Sequence, residues 1–108
     1  MPFAVFLTDD AARDLDELYD YLAPHEGPQK ADYVLKRIEG AFSRLSEFPD
    51  RGPHPKELLA LGIREYHEIF FKPYRIIYRV MGKTVYVLLI ADGRRNMRTL
   101  LERRLLGA

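Results

Sequence analysis

Seven arginines carry most of the chemistry open to this sequence. Arg75 and Arg79 lie four residues apart in KPYRIIYRV (72–80), and Arg94, Arg95, Arg98, Arg103 and Arg104 crowd the last fifteen residues. A guanidinium stays charged and presents a planar fork of donors, so it grips carboxylates and phosphates and can stabilise a pentacoordinate phosphate. Cleaving RNA through its 2′-hydroxyl would also need a base and a proton donor for the leaving oxygen. After Tyr86 the chain contains no Tyr, His, Phe, Lys or Cys. The arginine-rich segment therefore lacks the usual acid–base partners, and Asp92, placed before Gly93, reads as a turn residue. His25 and His54 fall in turn-like, proline-flanked stretches and His67 in a strand; no two of them have metal-ligand spacing on one element. With no cysteine, no glycine-rich phosphate loop and no GxSxG elbow, neither a metal, a cofactor nor a covalent nucleophile is expected. Binding through arginine is the chemistry that remains.

The elements that must position these arginines can be read from periodicity. FAVFL (3–7) is a short apolar strand. Thr8 is a candidate N-cap, with Asp9 and Asp10 in the first turn where the helix dipole favours negative charge. Ala12, Leu15, Leu18, Tyr19 and Leu22 then make one apolar stripe, ended by Pro24 and Gly27-Pro28. From Gln29, the positions Ala31, Val34, Leu35, Ile38, Phe42 and Leu45 form a longer stripe, stopped by Pro49, so two amphipathic helices should pack as a hairpin. DRGPHPKELLALG (50–62) reads as a connector with one helical turn. Three strand-like runs follow, IREYHEIFF (63–71), YRIIYRV (74–80) and VYVLLI (85–90), and residues 96–106 suit a terminal helix with Met97, Leu100, Leu101 and Leu105 as its apolar positions. The fold class is α+β: a helical hairpin on a small antiparallel sheet, built as strand, helix, helix, three-stranded meander and short C-terminal helix, in a single domain over 1–108.

The turn MGKT, with Gly82 able to take positive φ, makes the last two strands a hairpin. A two-residue loop would pair Val80 with Val85, Tyr78 with Val87 and Ile76 with Leu89 on one face, and Arg79 with Tyr86, Ile77 with Leu88 and Arg75 with Ile90 on the other. The second face is apolar at its centre and edged by guanidiniums, which is the composition of a recognition surface. Arg75, Ile77, Arg79 and Tyr86, with Arg94, Arg95 and Arg98, are therefore the candidate partner-binding residues. The competing structural reading is that Glu68 on the neighbouring strand pairs with these arginines, or that the C-terminal segment lies over the face.

Composition sets the outer limits. A chain of 108 residues, 47% hydrophobic, can bury roughly two-thirds of its unfolded surface in one core. Residues 1–50 hold five Lys/Arg against eleven Asp/Glu, and residues 51–108 hold twelve against five. That asymmetry suits an acidic partner for the basic half, unless the halves simply neutralise each other. Missing cysteines fit a reducing cytoplasm, and FAVFL lacks both the length and the basic leader of a signal peptide. No membrane association is expected.

LGIREY (61–66), YRIIYRV (74–80) and VYVLLIADGRRNM (85–97), in the order strand, helical hairpin, meander, resemble the RelE/ParE superfamily of bacterial type II toxins over nearly the whole chain. RelE-like members are ribosome-dependent messenger RNA endonucleases; ParE-like members share the scaffold and poison DNA gyrase. The family's arginine after the last strand falls on Arg94 or Arg95, but the later aromatic position falls near Leu100 and Leu101, and the basic region before the meander offers only Lys56 and Arg64. ARDLDELYDYLA (12–23) and the long second helix are likewise more similar to ParE. The resemblance implies a cytoplasmic toxin that binds gyrase without chemistry of its own. It also implies a cognate antitoxin laid across hairpin and sheet, with homodimers or a toxin–antitoxin heterotetramer as assemblies. The alternative it leaves is an endonuclease acting on ribosome and messenger through an acid–base set involving His67 or Asp92. A third reading is a folded relic that binds a partner without toxicity.

Overall fold

The computed structural model describes residues 2–107. Its sheet has the order β1-β4-β3-β2, from β1 (Ala4–Leu7), β2 (Tyr66–Phe71), β3 (Tyr74–Met81) and β4 (Thr84–Asp92). Three strands form the expected antiparallel meander, but β1 runs parallel to β4, so the sheet is mixed. The chain leaves β1 into the helical hairpin and returns at the opposite edge as β2. That crossing covers one face of the sheet.

Thr8 caps α1 (Asp9–Glu26), its hydroxyl accepting the Ala11 N–H at 3.1 Å. The helix runs through Pro24 and stops only at Gly27, beyond which Pro28 occupies the first turn of α2 (Pro28–Ser43), a position that needs no N–H. A 3₁₀ turn, Arg44–Ser46, then carries Leu45 into the core. The connector forms a single helical turn, α3 (Lys56–Leu59), and the last element is α4 (Met97–Leu106), capped by Asn96.

The apolar stripes of α1 and α2 meet Ile76, Tyr78, Val85, Val87 and Ile90 in one buried cluster, with the correction that α1 turns Ala11 into the core and leaves the expected Ala12 exposed. A second cluster lies on the other face, where Met97 and Leu101 of α4 and Leu58 of α3 pack on Ile77, Leu89 and Ala91. The sheet is thus sandwiched along part of its length by helices on both sides.

Gly82 takes φ 61° in the β3–β4 turn, and the expected pairs Val80–Val85, Arg79–Tyr86 and Tyr78–Val87 are present. Beyond them a bulge at Leu88 shifts the register, giving Ile77–Leu89, Ile76–Ile90 and Arg75–Ala91 in place of the one-residue-earlier partners predicted. The extra residue lets Leu89 and Ala91 face α4 while Ile90 faces the hairpin helices, so both sides of β4 stay apolar.

Candidate functional site

Arg75 and Ile77 do not stand on an open face. Ile77 is 0% exposed and Arg75 only 8%, because α3 and α4 cover the part of the sheet that carries them. The sequence offered two competing explanations for these arginines, and the structure contains both: Glu68 pairs with Arg75, and the C-terminal helix overlies the face. Arg75 Nε donates to Glu68 Oε1 at 2.7 Å, and its Nη1 and Nη2 donate to the two carboxylate oxygens of Glu57 at 2.8 Å. Three charge-assisted bonds thus use the whole guanidinium fork, and they raise the Arg75 pKa, with the Glu57 bonds the largest cause. The same bonds hold the Glu57 carboxyl below its ordinary value. Gly93 completes the arrangement: a Cβ there would meet Arg75 Cδ at 2.8 Å, so only glycine lets the β4 end close over the arginine stem.

Arg79 and Tyr86 stand at the other end of the same face, beyond the reach of α4. Register places Phe6, Tyr86, Arg79 and Tyr66 opposite one another on four adjacent strands, a continuous row across the sheet. Phe6 and Tyr86 stack at 6.3 Å between centroids, and the Arg79 guanidinium lies 5.7 Å from the Tyr66 ring. Phe6 and Tyr86 are exposed, and Arg79 makes no ion pair among the described residues. Phe6 was missed at the sequence level, although alternation in FAVFL, with Val5 and Leu7 turned to the core, already aims it outward.

The remaining candidates lie elsewhere. Tyr86 and Asp92 are six residues apart on one strand, roughly 20 Å, so Arg94, Arg95 and Arg98 form a separate group past the end of β4. Arg94 is bound to Asp92, Nη2 to Oδ2 at 2.6 Å, which lowers the Asp92 pKa and raises that of Arg94. Arg98 pairs with Glu102 at 3.0 Å, while Arg95 makes no ion pair among the described residues. Arg94 and Arg95 border a cleft of about 480 Å³ whose other wall is α1; Leu18 and Tyr21 of α1 and Tyr74 of β3 line it with apolar surface, and Asp14, Glu17 and Glu26 with carboxylates.

The groups considered for acid–base work are held in structural contacts. His67 Nδ1 donates to Gly52 C=O at 2.7 Å and its ring stacks on buried Tyr78 at 5.5 Å. Asp92 is bound by Arg94. No group of three or more His, Cys, Asp or Glu among the described residues could hold a metal ion.

Comparison with known proteins follows the same line. A family profile described as the ParE toxin of type II toxin–antitoxin system, parDE, matches residues 5–97. The chain is 36% identical over 93 residues to Toxin ParE3 of Caulobacter vibrioides, covering 86% of this chain and 89% of that protein. Among solved structures it is similar to a chain of the chromosomal ParDE system from P. aeruginosa, with TM-score 0.72 and 26% identity over 83% of this chain and 95% of the other. It is also similar to a chain of the RelBE2 toxin–antitoxin complex from Mycobacterium tuberculosis, with TM-score 0.58 and 27% identity over 85% and 99%. A mutant E. coli toxin RelE in the free state shares the fold at TM-score 0.62 and 13% identity, with 93% of each chain covered.

Proposed function

Since the chain belongs to the family of ParE toxins of type II toxin–antitoxin systems, we propose that it acts in the cytoplasm by binding DNA gyrase, without bond-breaking chemistry, and that a cognate antitoxin neutralises it. The observation that carries this reading is the row Phe6–Tyr86–Arg79–Tyr66, exposed at Phe6 and Tyr86 and half-buried at Arg79 and Tyr66. A guanidinium with no ion pair among the described residues, lying over the Tyr66 ring and beside Tyr86 on the next strand, has the composition of a binding hot spot, where tyrosine and arginine dominate. Arg94 and Arg95, at the far end of the strand, supply a second cationic contact in the same reading.

The antitoxin part rests on kinship: the similar solved chains include members of a ParDE system and of a RelBE2 toxin–antitoxin complex. No helix among the described residues is long and apolar enough to cross a membrane.

Three assays test the proposal together. Purified protein added to a gyrase supercoiling reaction should inhibit it, and co-purified antitoxin should restore activity. Full supercoiling at excess toxin would remove the gyrase reading. Codon-positioned cuts in ribosome-bound messenger, seen by primer extension, would replace it with the endonuclease. Unchanged growth on induction would leave only a partner-binding relic.

A further inference from the structure

Every member of the row Phe6–Tyr86–Arg79–Tyr66 ends in a planar group, one from each of the four adjacent strands. Three strand spacings make the row about 14 Å long. Phe6 and Tyr86, 55% and 36% exposed, stack on each other with an angle of 30° between their planes. Because β1 is an edge strand, no further strand of the sheet covers the far side of the Phe6 ring. At the other end the Arg79 guanidinium lies over Tyr66.

The charge around the row has one sign in excess. Lys83, in the β3–β4 turn, is exposed, and its carbonyl accepts the Ala4 N–H at 3.1 Å, which fixes the turn beside β1. Arg64 is exposed two residues before Tyr66, on the β2 side. Neither makes an ion pair among the described residues, and nor does Arg79. The next row toward the turn, Ala4, Thr84 and Met81, contains no carboxylate. Glu65 is the acidic neighbour of Arg64 in the chain, so Arg64, Arg79 and Lys83 leave this end of the sheet net positive.

We propose that the row is a stacking platform for unpaired bases of a DNA strand, whose phosphates run past Lys83 and Arg64. Aromatic rings on an open sheet face hold bases through their π faces whatever the sequence, and about two or three bases fit on such a face. The ammonium and guanidinium groups take the phosphates. An acidic peptide fits less well, because its carboxylates would find Arg79 but nothing in the ring faces of Phe6 and Tyr86 that recognises them. A DNA duplex fits less well too, since its bases are already stacked on one another. The proposal rests on the gyrase reading for the source of the strand: gyrase works on DNA, and the row takes the part of the contact that falls on nucleic acid.

The chain contains no tryptophan, so Phe6→Trp places a single indole in the row. Titrating this variant with oligo(dT) at low salt, without gyrase, should quench its emission as bases stack. Fluorescein-labelled oligo(dT) should also bind the parent protein saturably, read by anisotropy, with affinity falling as salt rises. Phe6→Ala combined with Tyr86→Ala should weaken binding by at least about tenfold, while Phe6→Tyr, which keeps a ring, should hold it. Both side chains are exposed, so circular dichroism should show the variants folded. Absence of binding or of quenching, a double variant that binds as well as the parent, or tighter binding of duplex DNA, oligo(U) or phosphatidylglycerol vesicles at the same indole would each overturn the proposal. The gyrase reading is tested separately, by supercoiling. Protein that inhibits supercoiling but never binds oligo(dT) would remove the strand and keep gyrase; the reverse result would keep the strand and remove gyrase as its source.

Discussion

Arg104 reaches ninety residues back along the chain to Asp14, with Nη1 and Nη2 each 2.9 Å from a carboxylate oxygen. The pair does more than join α4 to α1. Strand β1 ends opposite Val87, which leaves the next stretch of the β4 edge without a strand beside it. There the Asp14 carboxylate accepts the Ile90 N–H at 2.9 Å, and Arg104 Nη1 donates to Leu88 C=O at 2.7 Å. Two side chains thus stand in for the missing strand, at the bulge that switches which residues face α4. Arg104 is architectural, although the sequence groups it with the terminal cations.

Substituting Arg104 by Ala strands a largely buried carboxylate and a strand carbonyl. The expected loss is about 2 to 3 kcal/mol, within the range for breaking a largely buried pair from one side. Urea denaturation would measure it. Hydrogen exchange should speed up at Ile90 much more than at Val85, which β1 still flanks; equal acceleration at both would mean a general loosening and would count against the local role.

The Arg75 clamp makes an acid-pH prediction. The Arg75 bonds hold the folded Glu57 carboxyl below its ordinary value of 4.5. The ionised form is therefore favoured by folding, so its contribution is complete above the ordinary value and is lost as pH falls below it through the depressed folded value. Glu57→Gln should flatten the dependence of the urea midpoint on pH between about 3 and 5 and leave the curve near neutrality parallel to the parent. A Gln variant with the parent's acid slope would place the titration elsewhere.

Much of this could be read from periodicity, and what could not has identifiable causes. Thr8, the Gly82 turn and the two helical stripes act through neighbours in sequence, and their elements appear where spacing puts them. The Leu88 bulge left no local signature, since an extra Leu in VYVLLI fits either register. The fate of Arg75 depended on Glu57, from a connector eighteen residues away, and on Met97 and Leu101 choosing the meander face rather than solvent. The apolar positions of α4 were visible; the surface they would cover was not. The display of Arg79 and Tyr86 survives because α4 leaves their end of the sheet uncovered.

The α4 seam can be probed by truncation of single side chains. Leu101 is 1% exposed within the cluster of Ile77, Leu89 and Leu58. Leu101→Ala should cost about 2 to 5 kcal/mol through lost contacts and an unfilled cavity. Leu106→Ala, five residues on and 54% exposed, should cost no more than about 0.5 kcal/mol. Similar melting temperatures for the two variants would show that α4 is not packed on the sheet as described.

The binding row yields the sharpest contrast between stability and activity. Arg79 makes a cation–π contact with Tyr66 worth about 0.5 to 1 kcal/mol at an exposed site, so Arg79→Ala should barely lower the unfolding midpoint. If Arg79 anchors the target, the same change removes about 2 kcal/mol or more of binding, raising the concentration for half-inhibition of gyrase by roughly thirtyfold. Tyr86→Ala should behave alike, with Phe6 losing its stacked neighbour. Arg98→Ala is the internal control: its guanidinium is engaged by Glu102, so a smaller change in inhibition is expected. The opposite pattern should mark Arg75→Ala, a large loss of stability through Glu57 and Glu68 left without a partner, with inhibition per folded molecule retained where the protein still folds. Inhibition that falls in step with stability across all four variants would mean the row contributes only through folding.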